Sequence, residues 1–335
     1  MSAITIYTDE DASTEALKGK TVAIIGYGAQ GRAQARMLFE SGVKVVVGVR
    51  EDGASWQKVK EDGIPVHSIP DAAKVGDIVH ILLPDEIQHD IYRDTIRPYL
   101  TAGNIVSFSH GLNVVMGLID LPEGVGCIMV APKAPGTEEY RAYKQGFGVP
   151  ALFAIGKDNS ECEARIIALG MAKAMQFTRA GVIECTFKQE AFSDLFGEQA
   201  VLCGGISSLI QAGFEVLTER GYPAELAYFE CLHETKLIVD LIVEGGLERM
   251  WEVVSNTAEF GGHTRGPRII TEETKKIMHT ILDEVESGAF ATEMFDDYRH
   301  NNFGKLYDFR RKQAEHPIEI VGKRIRSLFR KEDSK

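Results

Sequence analysis

The first part of the chain alternates short, continuously apolar segments with amphipathic helical patterns. Helical periodicity occurs between the apolar segments, for example at 32–42 and 87–100. Continuous rather than alternating hydrophobicity is typical of strands in a parallel sheet that is covered on both faces. The segments with this character are 21–28, 43–50, 77–84, 104–111, 126–132, 149–156 and 175–181. The pattern therefore predicts a doubly wound, Rossmann-like α/β domain with a parallel sheet over residues 1–182.

The pattern changes near residue 183, where strand-like segments stop and long helical periodicity begins. Pro223 stands where a helix is expected to start, because proline is favoured at the first helical position. The predicted helices cover 195–221, 223–246, 247–260, 271–288 and 291–301. We therefore expect a second, all-helical domain over residues 183–335.

Composition narrows the class of protein. A length of 335 residues with 44% hydrophobic content is sufficient for two packed domains. The net charge of −12 argues against a general nucleic-acid partner. No uninterrupted apolar run approaches the ~20 residues of a membrane span, and the polar, acidic first residues do not resemble a secretory signal. Five cysteines without a CxxC spacing are typical of reduced thiols. We expect a cytoplasmic protein without nucleic-acid or membrane partners.

A glycine-rich motif, GYGAQG at 26–31, lies directly between the first predicted strand and a helix. In this context a G-x-G-x-x-G motif indicates a dinucleotide-binding turn. Gly26 permits the tight turn, Gly28 lets the backbone approach a pyrophosphate, and Gly31 lets helix and strand pack closely. The amides at the start of the helix then face the phosphates.

The loop after the second predicted strand contains features of both dinucleotide types. Arg50 and Ser55 could hold the 2′-phosphate of NADPH, whereas Glu51 and Asp52 would repel it and suit the ribose hydroxyls of NADH. An alternative is that both acids point to water. We expect substantial use of NADH, with the preference between the two cofactors left open.

Two pairs of acids lie within strongly apolar helical segments. Asp194 and Glu198 are four residues apart, as are Glu230 and Glu234, so each pair shares one face of its helix. Burial of unpaired carboxylates is costly. Divalent cations remove this cost, and Mg²⁺ prefers oxygen ligands of this kind. The alternative is a solvated face, or pairing with neighbouring lysines. Two such pairs beside a dinucleotide domain favour the metal.

Nearly the whole chain resembles ketol-acid reductoisomerase, and its length resembles the short, class I form. The segments that carry the resemblance are GYGAQGRAQA (26–35), SHG (109–111), APKAPGTEEYR (131–141), GFGVPALFA (146–154), DLFGEQAVLCGG (194–205), AYFECLHETKLIVDLI (227–242), SNTAEFG (255–261) and GPRII (266–270). Two residues depart from the family pattern, since Ala29 replaces a common serine and Arg32 a usual histidine. We expect Arg32 to add positive charge near the pyrophosphate.

The resemblance implies an enzyme that moves an alkyl group within 2-acetolactate or 2-aceto-2-hydroxybutyrate and then reduces the product with NADPH or NADH, in valine and isoleucine biosynthesis. It also implies two Mg²⁺ ions per site, a knotted helical domain, and a homodimer or larger homo-oligomer whose sites are shared between subunits. Asp194 would bridge the two ions and Glu198 ligate one, while Glu230 and Glu234 serve the second and come, with Ser255, from the neighbouring chain.

The residues expected in the site fall into four groups. The catalytic residues are His110, Lys133 and Glu234. The metal ligands are Asp194, Glu198, Glu230 and Glu234. The substrate carboxylate is contacted by Ser255. The cofactor-binding residues are Gly26, Tyr27, Gly28, Ala29, Gln30, Gly31, Arg50, Glu51, Ser55, Asp85, Gln88 and Gly136. His110 and Lys133 each follow a predicted strand, and the carboxyl ends of parallel strands are where such sheets bind ligands.

Two other classes of protein share part of this pattern. A β-hydroxyacid dehydrogenase also joins a dinucleotide domain to helices, but it needs no metal cluster. A non-catalytic NAD(P)-binding sensor needs neither the four acids nor His110 and Lys133 together. The combination of all these features therefore favours the reductoisomerase.

Overall fold

A computed structural model describes residues 4–329, and the chain forms two compact units that divide between Ser193 and Asp194. The expected domain limits at residues 1 and 335 lie outside the described residues. The first unit contains a nine-stranded sheet flanked by helices, and the regular elements described in the second unit are helices.

The sheet of the first unit has the strand order β1-β9-β8-β7-β6-β5-β2-β3-β4. Its strands are β1 (Ile6–Tyr7), β2 (Thr21–Ile25), β3 (Lys44–Gly48), β4 (Val66–His67), β5 (Ile78–Ile81), β6 (Ile105–Phe108), β7 (Gly126–Pro132), β8 (Ala151–Lys157) and β9 (Val182–Glu184). All neighbouring strands are parallel except β7 with β8 and β1 with β9. The central strands are buried, and an apolar core lies on each face, as their continuous hydrophobicity predicts.

The strand predicted at 175–181 is wrong. Gln176 adopts a left-handed conformation with φ of 64°, and Phe177–Arg179 forms a 3-10 helix. The strand in this region is β9, which begins after Gly181 and pairs in parallel with β8. The apolar side chain of Phe177 is buried beneath the turn, so its hydrophobicity reflects core packing rather than a strand.

Helices cover both faces of the sheet in the first unit. They are α1 (Ala29–Glu40), α2 (Ala54–Glu61), α3 (Ile69–Val75), α4 (Asp85–Ile91), α5 (Leu112–Val115), α6 (Gly136–Lys144) and α7 (Ala164–Ala174). The next helix, α8 (Phe187–Phe196), runs across the division between the units. It continues through a π-helical turn at Gly197–Leu202.

The second unit contains the remaining helices. They are α9 (Gly204–Glu219), α10 (Ala224–Tyr228), α11 (Thr235–Val253), α12 (Asn256–Ile269), α13 (Glu272–Glu286), α14 (Ala289–Asn301), α15 (Gly304–Glu315) and α16 (Pro317–Phe329). A second π-helical turn, Phe229–His233, separates α10 from α11. The helix predicted at 247–260 is interrupted, because Ser255 caps α12 by accepting a hydrogen bond from the backbone N–H of Ala258 at 3.2 Å.

Much of the apolar surface of the second unit is exposed. Its buried core includes Phe214, Tyr228 and Ile325, which lie on α9, α10 and α16. Most of the large apolar side chains that remain exposed also belong to this unit. One continuous helical stretch, Phe187–Glu219, is long and apolar enough to cross a membrane by length and composition alone. Exposed apolar surfaces of this extent mark sites of association.

Candidate active site

The glycine-rich turn leads from β2 into α1, and its backbone leaves no room for side chains at two positions. Gly26 has φ of 100°, and a Cβ there would lie 2.6 Å from the carbonyl oxygen of Leu82. A Cβ at Gly31 would lie 2.4 Å from the carbonyl oxygen of Gly26. At Gly28, which caps α1, no described atom lies within 4 Å of such a Cβ. The turn is therefore closed toward the sheet and open at the start of α1, which fits a dinucleotide pyrophosphate.

The loop before α6 packs against this turn. Gln30 donates a hydrogen bond from Nε2 to the carbonyl oxygen of Ala134 at 3.0 Å. A Cβ at Gly136 would lie 2.4 Å from the carbonyl oxygen of Ala29. The structure thus brings together Ala29, Gln30 and Gly136, three of the residues expected at the cofactor.

The loop after β3 lies at the same edge of the sheet, because β3 is the parallel neighbour of β2. Arg50, Glu51 and Asp52 are exposed, and the N–H of Gly53 closes a turn onto the carbonyl oxygen of Arg50 at 3.0 Å. Ser55 is half-buried in the first turn of α2. Exposure of both acids leaves the two alternatives from the sequence open, since they are accessible to water as well as to a ligand.

Asp85 and Gln88 lie on α4, which follows β5. Asn113 donates from Nδ2 to the backbone oxygen and the carboxylate of Asp85, at 3.1 and 3.2 Å. Within the described part of the chain, the buried side-chain oxygens of Gln88 and Asn113 have no hydrogen-bond partner. Buried polar atoms are usually satisfied, so these two acceptors fit the N–H or O–H donors of a bound ligand.

A buried carboxylate brings together the residues at the ends of β6 and β7. Glu190 on α8 is 1% exposed and accepts hydrogen bonds from Lys133 Nζ at 2.9 Å and from the backbone N–H of Gly111 at 2.9 Å. His110 Nδ1 lies 3.3 Å from the same carboxylate. We call Glu190, Lys133, His110 and Gly111 the Glu190 cluster. Because β6 and β7 are parallel neighbours, the cluster lies at the carboxyl edge of the sheet, where His110 and Lys133 were expected.

The charges of the Glu190 cluster are fixed by its contacts. Burial raises the pKa of the Glu190 carboxyl, but the hydrogen bond from His110 and the charge of Lys133 outweigh burial, and the pKa is lowered overall. The carboxylate is therefore ionised. A Cβ at Gly111 would lie 2.8 Å from the carbonyl oxygen of Phe187, so only glycine allows this close approach of α8.

Glu190 is a site residue that the sequence analysis missed. A signal for it existed, because Glu190, Asp194 and Glu198 recur every four residues along one helical stretch. A third acid on the same helical face distinguishes this segment further from an ordinary apolar helix.

Both pairs of expected metal ligands occur where an α-helix meets a π-helical turn. Asp194 lies in α8 and Glu198 in the following π turn, whereas Glu230 lies in the second π turn and Glu234 directly after it, at the start of α11. Such turns are frequent at functional sites. In a single chain, no three of these four carboxylates gather within 4.8 Å of one another among the described residues.

Arg32 has a partner that the sequence does not reveal. Its guanidinium is bidentate to Asp62, with Nε 2.7 Å from Oδ2 and Nη2 2.9 Å from Oδ1. The positive charge of Arg32 is thereby paired with a carboxylate. The expectation that Arg32 adds charge near the pyrophosphate stays a prediction.

Glu139 on α6 is a buried acid beside the glycine turn. Burial raises the pKa of its carboxyl to about 8, against an opposing effect of Gln30. Gln30 lies nearby, yet neither carboxyl oxygen has a hydrogen bond of acceptable geometry among the described residues, so burial dominates. In the unfolded chain a glutamate loses its proton near pH ~4.3. Between these values the folded chain retains a proton that the unfolded chain has lost.

We therefore expect the free energy of unfolding to fall as pH rises from about 5 to about 8, at up to ~1.4 kcal/mol per pH unit. Glu139→Gln should remove this contribution, so that the variant gains stability relative to the parent as pH rises. Chemical denaturation of both proteins across this range measures the difference. A difference between the two proteins that does not change with pH would contradict the expectation.

Comparison with known proteins agrees with this geometry. The sequence model of the acetohydroxy acid isomeroreductase NADPH-binding domain matches residues 16–181, and that of the ketol-acid reductoisomerase C-terminal domain matches residues 187–331. A protein named ketol-acid reductoisomerase (NAD(+)), from an uncultured archaeon, is 54% identical over 97% of this chain and 98% of the relative. A protein from Methanosphaera stadtmanae, named ketol-acid reductoisomerase (NADP(+)), is also 54% identical, over 95% of this chain and 96% of the relative.

A solved structure is similarly close. The structure of an NADH-preferring ketol-acid reductoisomerase from an uncultured archaeon has a TM-score of 0.95 at 53% identity, with 98% of this chain and 100% of that chain covered. A second structure, of an oxidoreductase from Jannaschia, has a TM-score of 0.61 at 17% identity and shows likeness of fold alone.

A dinucleotide turn on a Rossmann-like sheet, followed by a helical unit with paired acids, defines a two-part NAD(P)H-dependent oxidoreductase. The chain belongs to the ketol-acid reductoisomerase family. The relatives are named ketol-acid reductoisomerases and the solved structure shares the fold over nearly the whole chain, so the predicted family, enzyme class and two-part fold class are confirmed.

Proposed function

We propose that this protein converts 2-acetolactate or 2-aceto-2-hydroxybutyrate to the 2,3-dihydroxy-3-alkyl acid, by alkyl migration between adjacent carbons and reduction of the new ketone. We assign residues 1–182 to the cofactor domain and 183–335 to a knotted helical domain of the class I form. The observation that carries the proposal is the Glu190 cluster, which lies at the same sheet edge as the glycine turn. That edge thus combines a dinucleotide cradle with side chains that carry protons.

The side chains of the Glu190 cluster orient one another. Lys133 Nζ donates to the ionised Glu190, which favours the charged ammonium. Nδ1 of His110 lies 3.3 Å from this carboxylate, which orients the imidazole ring. We assign proton transfer and charge stabilisation to His110 and Lys133, and positioning to Glu190.

We assign two Mg²⁺ ions to the carboxylates of the helical unit, which Asp194 and Glu198 would hold from one helical stretch and Glu230 and Glu234 from another. The donor set fits, because all four are hard oxygen ligands and four negative charges match two divalent ions. When bound, the ions polarise the ketone and hydroxyl oxygens of the substrate, and NAD(P)H supplies the hydride. We also count Glu234 among the catalytic residues, with His110 and Lys133. Ser255 would contact the substrate carboxylate.

The proposed activity is tested by following NADH and NADPH oxidation with 2-acetolactate, with and without Mg²⁺. We expect turnover only when substrate and metal are both present, and a dihydroxy acid as the product. A 3-hydroxy acid supplied with NAD⁺ or NADP⁺ is the control and should give no reduction of the dinucleotide. Reduction of NAD⁺ or NADP⁺ by that hydroxy acid without Mg²⁺ would show a different enzyme.

We further propose a homodimer, in the cytoplasm, formed through the helical domain. Val243, Leu247 and Phe260 are 79%, 62% and 68% exposed, and such apolar surface requires a partner. The long apolar stretch Phe187–Glu219 is assigned to the same interface rather than to lipid, because it carries the acids of the metal site, which are costly in a bilayer. Among the described residues of one chain, no three of the four acids gather within 4.8 Å of one another, which supports ligands shared between subunits.

Subunit mixing tests the shared site. We expect Asp194→Asn and Glu230→Gln homodimers to be inactive, and their heterodimers to recover one intact site and so up to about half of the parental activity per dimer, because each carboxylate comes from a different chain. Differently tagged subunits are co-expressed, and the purified heterodimer is assayed. A mixture of two Asp194→Asn chains is the control. Heterodimers without activity would contradict shared ligands.

NADH is proposed as the favoured or an equally used cofactor. The solved structure at 53% identity is described as NADH-preferring, although relatives of equal identity are named for both cofactors. In this chain Glu51 and Asp52 are exposed beside Arg50, where they oppose a 2′-phosphate. One exposed like-charge contact costs about 1 kcal/mol at ~4 Å, so two acids offset the arginine without excluding NADPH.

We expect Glu51→Ser/Asp52→Ser to shift the ratio of kcat/KM for NADPH over NADH upward by about thirtyfold, because two repulsive contacts of about 1 kcal/mol each are removed. Steady-state kinetics with both cofactors measure the ratio. The control is Glu61→Ser, an exposed acid at the far end of the same helix. A parent that already prefers NADPH a hundredfold, or a ratio unmoved by the double change, would refute the role of the loop.

A further inference from the structure

Asp62 joins two segments of the cofactor domain that are far apart in sequence. It directly follows α2, and its side chain is 10% exposed. Tyr27 donates its hydroxyl to Oδ2 at 2.8 Å, and the bidentate guanidinium of Arg32 completes the contacts. We call Tyr27, Arg32 and Asp62 the Asp62 clamp.

The Asp62 clamp keeps its charges over the ordinary pH range. The hydrogen bond from Arg32 lowers the pKa of the Asp62 carboxyl, against a smaller opposing effect of burial. Burial, and then the hydrogen bond to Asp62, raise the pKa of the Tyr27 hydroxyl, which stays neutral and remains a donor. Arg36 Nε lies 4.0 Å from Oδ1 and adds a further positive charge. Charge-assisted hydrogen bonds of this kind are short and strong.

The two segments that the clamp joins would hold two parts of a dinucleotide, the pyrophosphate and the adenosine ribose. Tyr27 lies inside the glycine turn and Arg32 in the first turns of α1. Asp62 terminates α2, and the Arg50–Asp52 loop precedes that helix. The eight residues of α2 form a rigid rod of about 12 Å, anchored in the core by buried Val59. A shift at Asp62 is therefore carried to the loop.

We propose that Asp62 is a positioning residue for the cofactor, which sets the distance between the pyrophosphate turn and the loop that meets the adenosine ribose. The inference rests on the proposed function, because it requires that turn and loop hold one dinucleotide. The span from pyrophosphate to ribose is fixed by the covalent structure of the cofactor. Hydrogen bonds at both ends form together only when the protein holds the matching spacing, since they weaken steeply with distance and angle.

Direct binding of the phosphates by Arg32 would predict a different effect of removing Asp62 on cofactor affinity. If Arg32 bound the phosphates directly, Asp62 would compete for its guanidinium. Removal of Asp62 would then release Arg32 and tighten cofactor binding. If the clamp positions the loop, removal of either partner weakens binding, and the removal of both weakens it no further.

A double-mutant cycle distinguishes these roles. The variants are Asp62→Ala, Arg32→Ala and the double variant, with Glu61→Ala as the matched control, an adjacent exposed acid that accepts a hydrogen bond from Gln57 of its own helix. The Kd values of NADH and NADPH are measured by fluorescence titration without Mg²⁺ or substrate. Thermal unfolding of each protein reports folding.

We expect each single change to raise both Kd values by about tenfold, because each removes a charge-assisted hydrogen bond. The double variant should match the single ones, because both remove one interaction. The ratio of the two Kd values should move toward one, since a loosened loop discriminates less. The kcat at saturating cofactor should change by less than about twofold, and Glu61→Ala should behave as the parent.

The inference would be overturned if the folded Asp62→Ala variant bound either cofactor as tightly as the parent, or more tightly. Additive effects of the two single changes would also overturn it. If Asp62→Ala is not folded, Asp62→Asn and Arg32→Lys, which retain part of the contact, are judged by the same criteria. A parent that binds neither dinucleotide would instead refute the proposed function, and this inference with it.

Discussion

We expect Asp194→Asn and Glu198→Gln each to reduce turnover by roughly 10³-fold or more, while the protein stays folded. Loss of one member of a concerted catalytic set has effects of this size. Each change keeps the shape of the side chain but removes one of the four negative charges that match two Mg²⁺ ions. The helical structure should persist, because the change also removes a repulsion between acids four residues apart.

The measurement combines turnover with Mg²⁺ binding by calorimetry and with circular dichroism. We expect weakened metal binding and an unchanged helical spectrum. Glu273→Gln is the control, because this acid on α13 forms an exposed ion pair with Lys276 and lies outside the proposed ligands. Turnover close to that of the parent in either Asp194→Asn or Glu198→Gln would rule out the metal assignment.

The sheet could be predicted largely from local pattern. The central strands are buried on both faces, so their apolar runs are uninterrupted and visible in sequence. The two-residue strands β1 and β4 are too short to produce a pattern and were not predicted. The strand expected at 175–181 failed because hydrophobicity alone does not distinguish a buried turn from a strand. The left-handed Gln176 in that turn has no clear sequence signal.

The site could be predicted only in part, because its geometry depends on contacts distant in sequence. His110 and Lys133 could be placed at the sheet edge, since each follows a strand. Their common partner, Glu190, lies on a helix of a different segment, and a single sequence does not show which acid reaches them. The role of Arg32 likewise depends on Asp62, which lies thirty residues away.

Neutralisation of Glu190 is the second change with a large expected effect. Glu190→Gln keeps the volume of the side chain, but an amide carries one acceptor atom where the carboxylate has two. Its NH₂ group would face Lys133 Nζ or the N–H of Gly111, both of which are donors. At least one buried donor would lose its acceptor, and Lys133 would lose the charge that stabilises its ammonium.

We expect kcat of Glu190→Gln to fall by about 10²–10³, in the range of general acid–base contributions, while the Kd of NADH stays that of the parent. This split separates a role at the reacting end from a general loss of structure, which would weaken cofactor binding as well. Glu184→Gln is the control, because Glu184 on β9 forms an ion pair with Arg165 of α7, outside the Glu190 cluster. A folded Glu190→Gln variant with kcat within about threefold of the parent would show that proton transfer does not depend on the buried carboxylate.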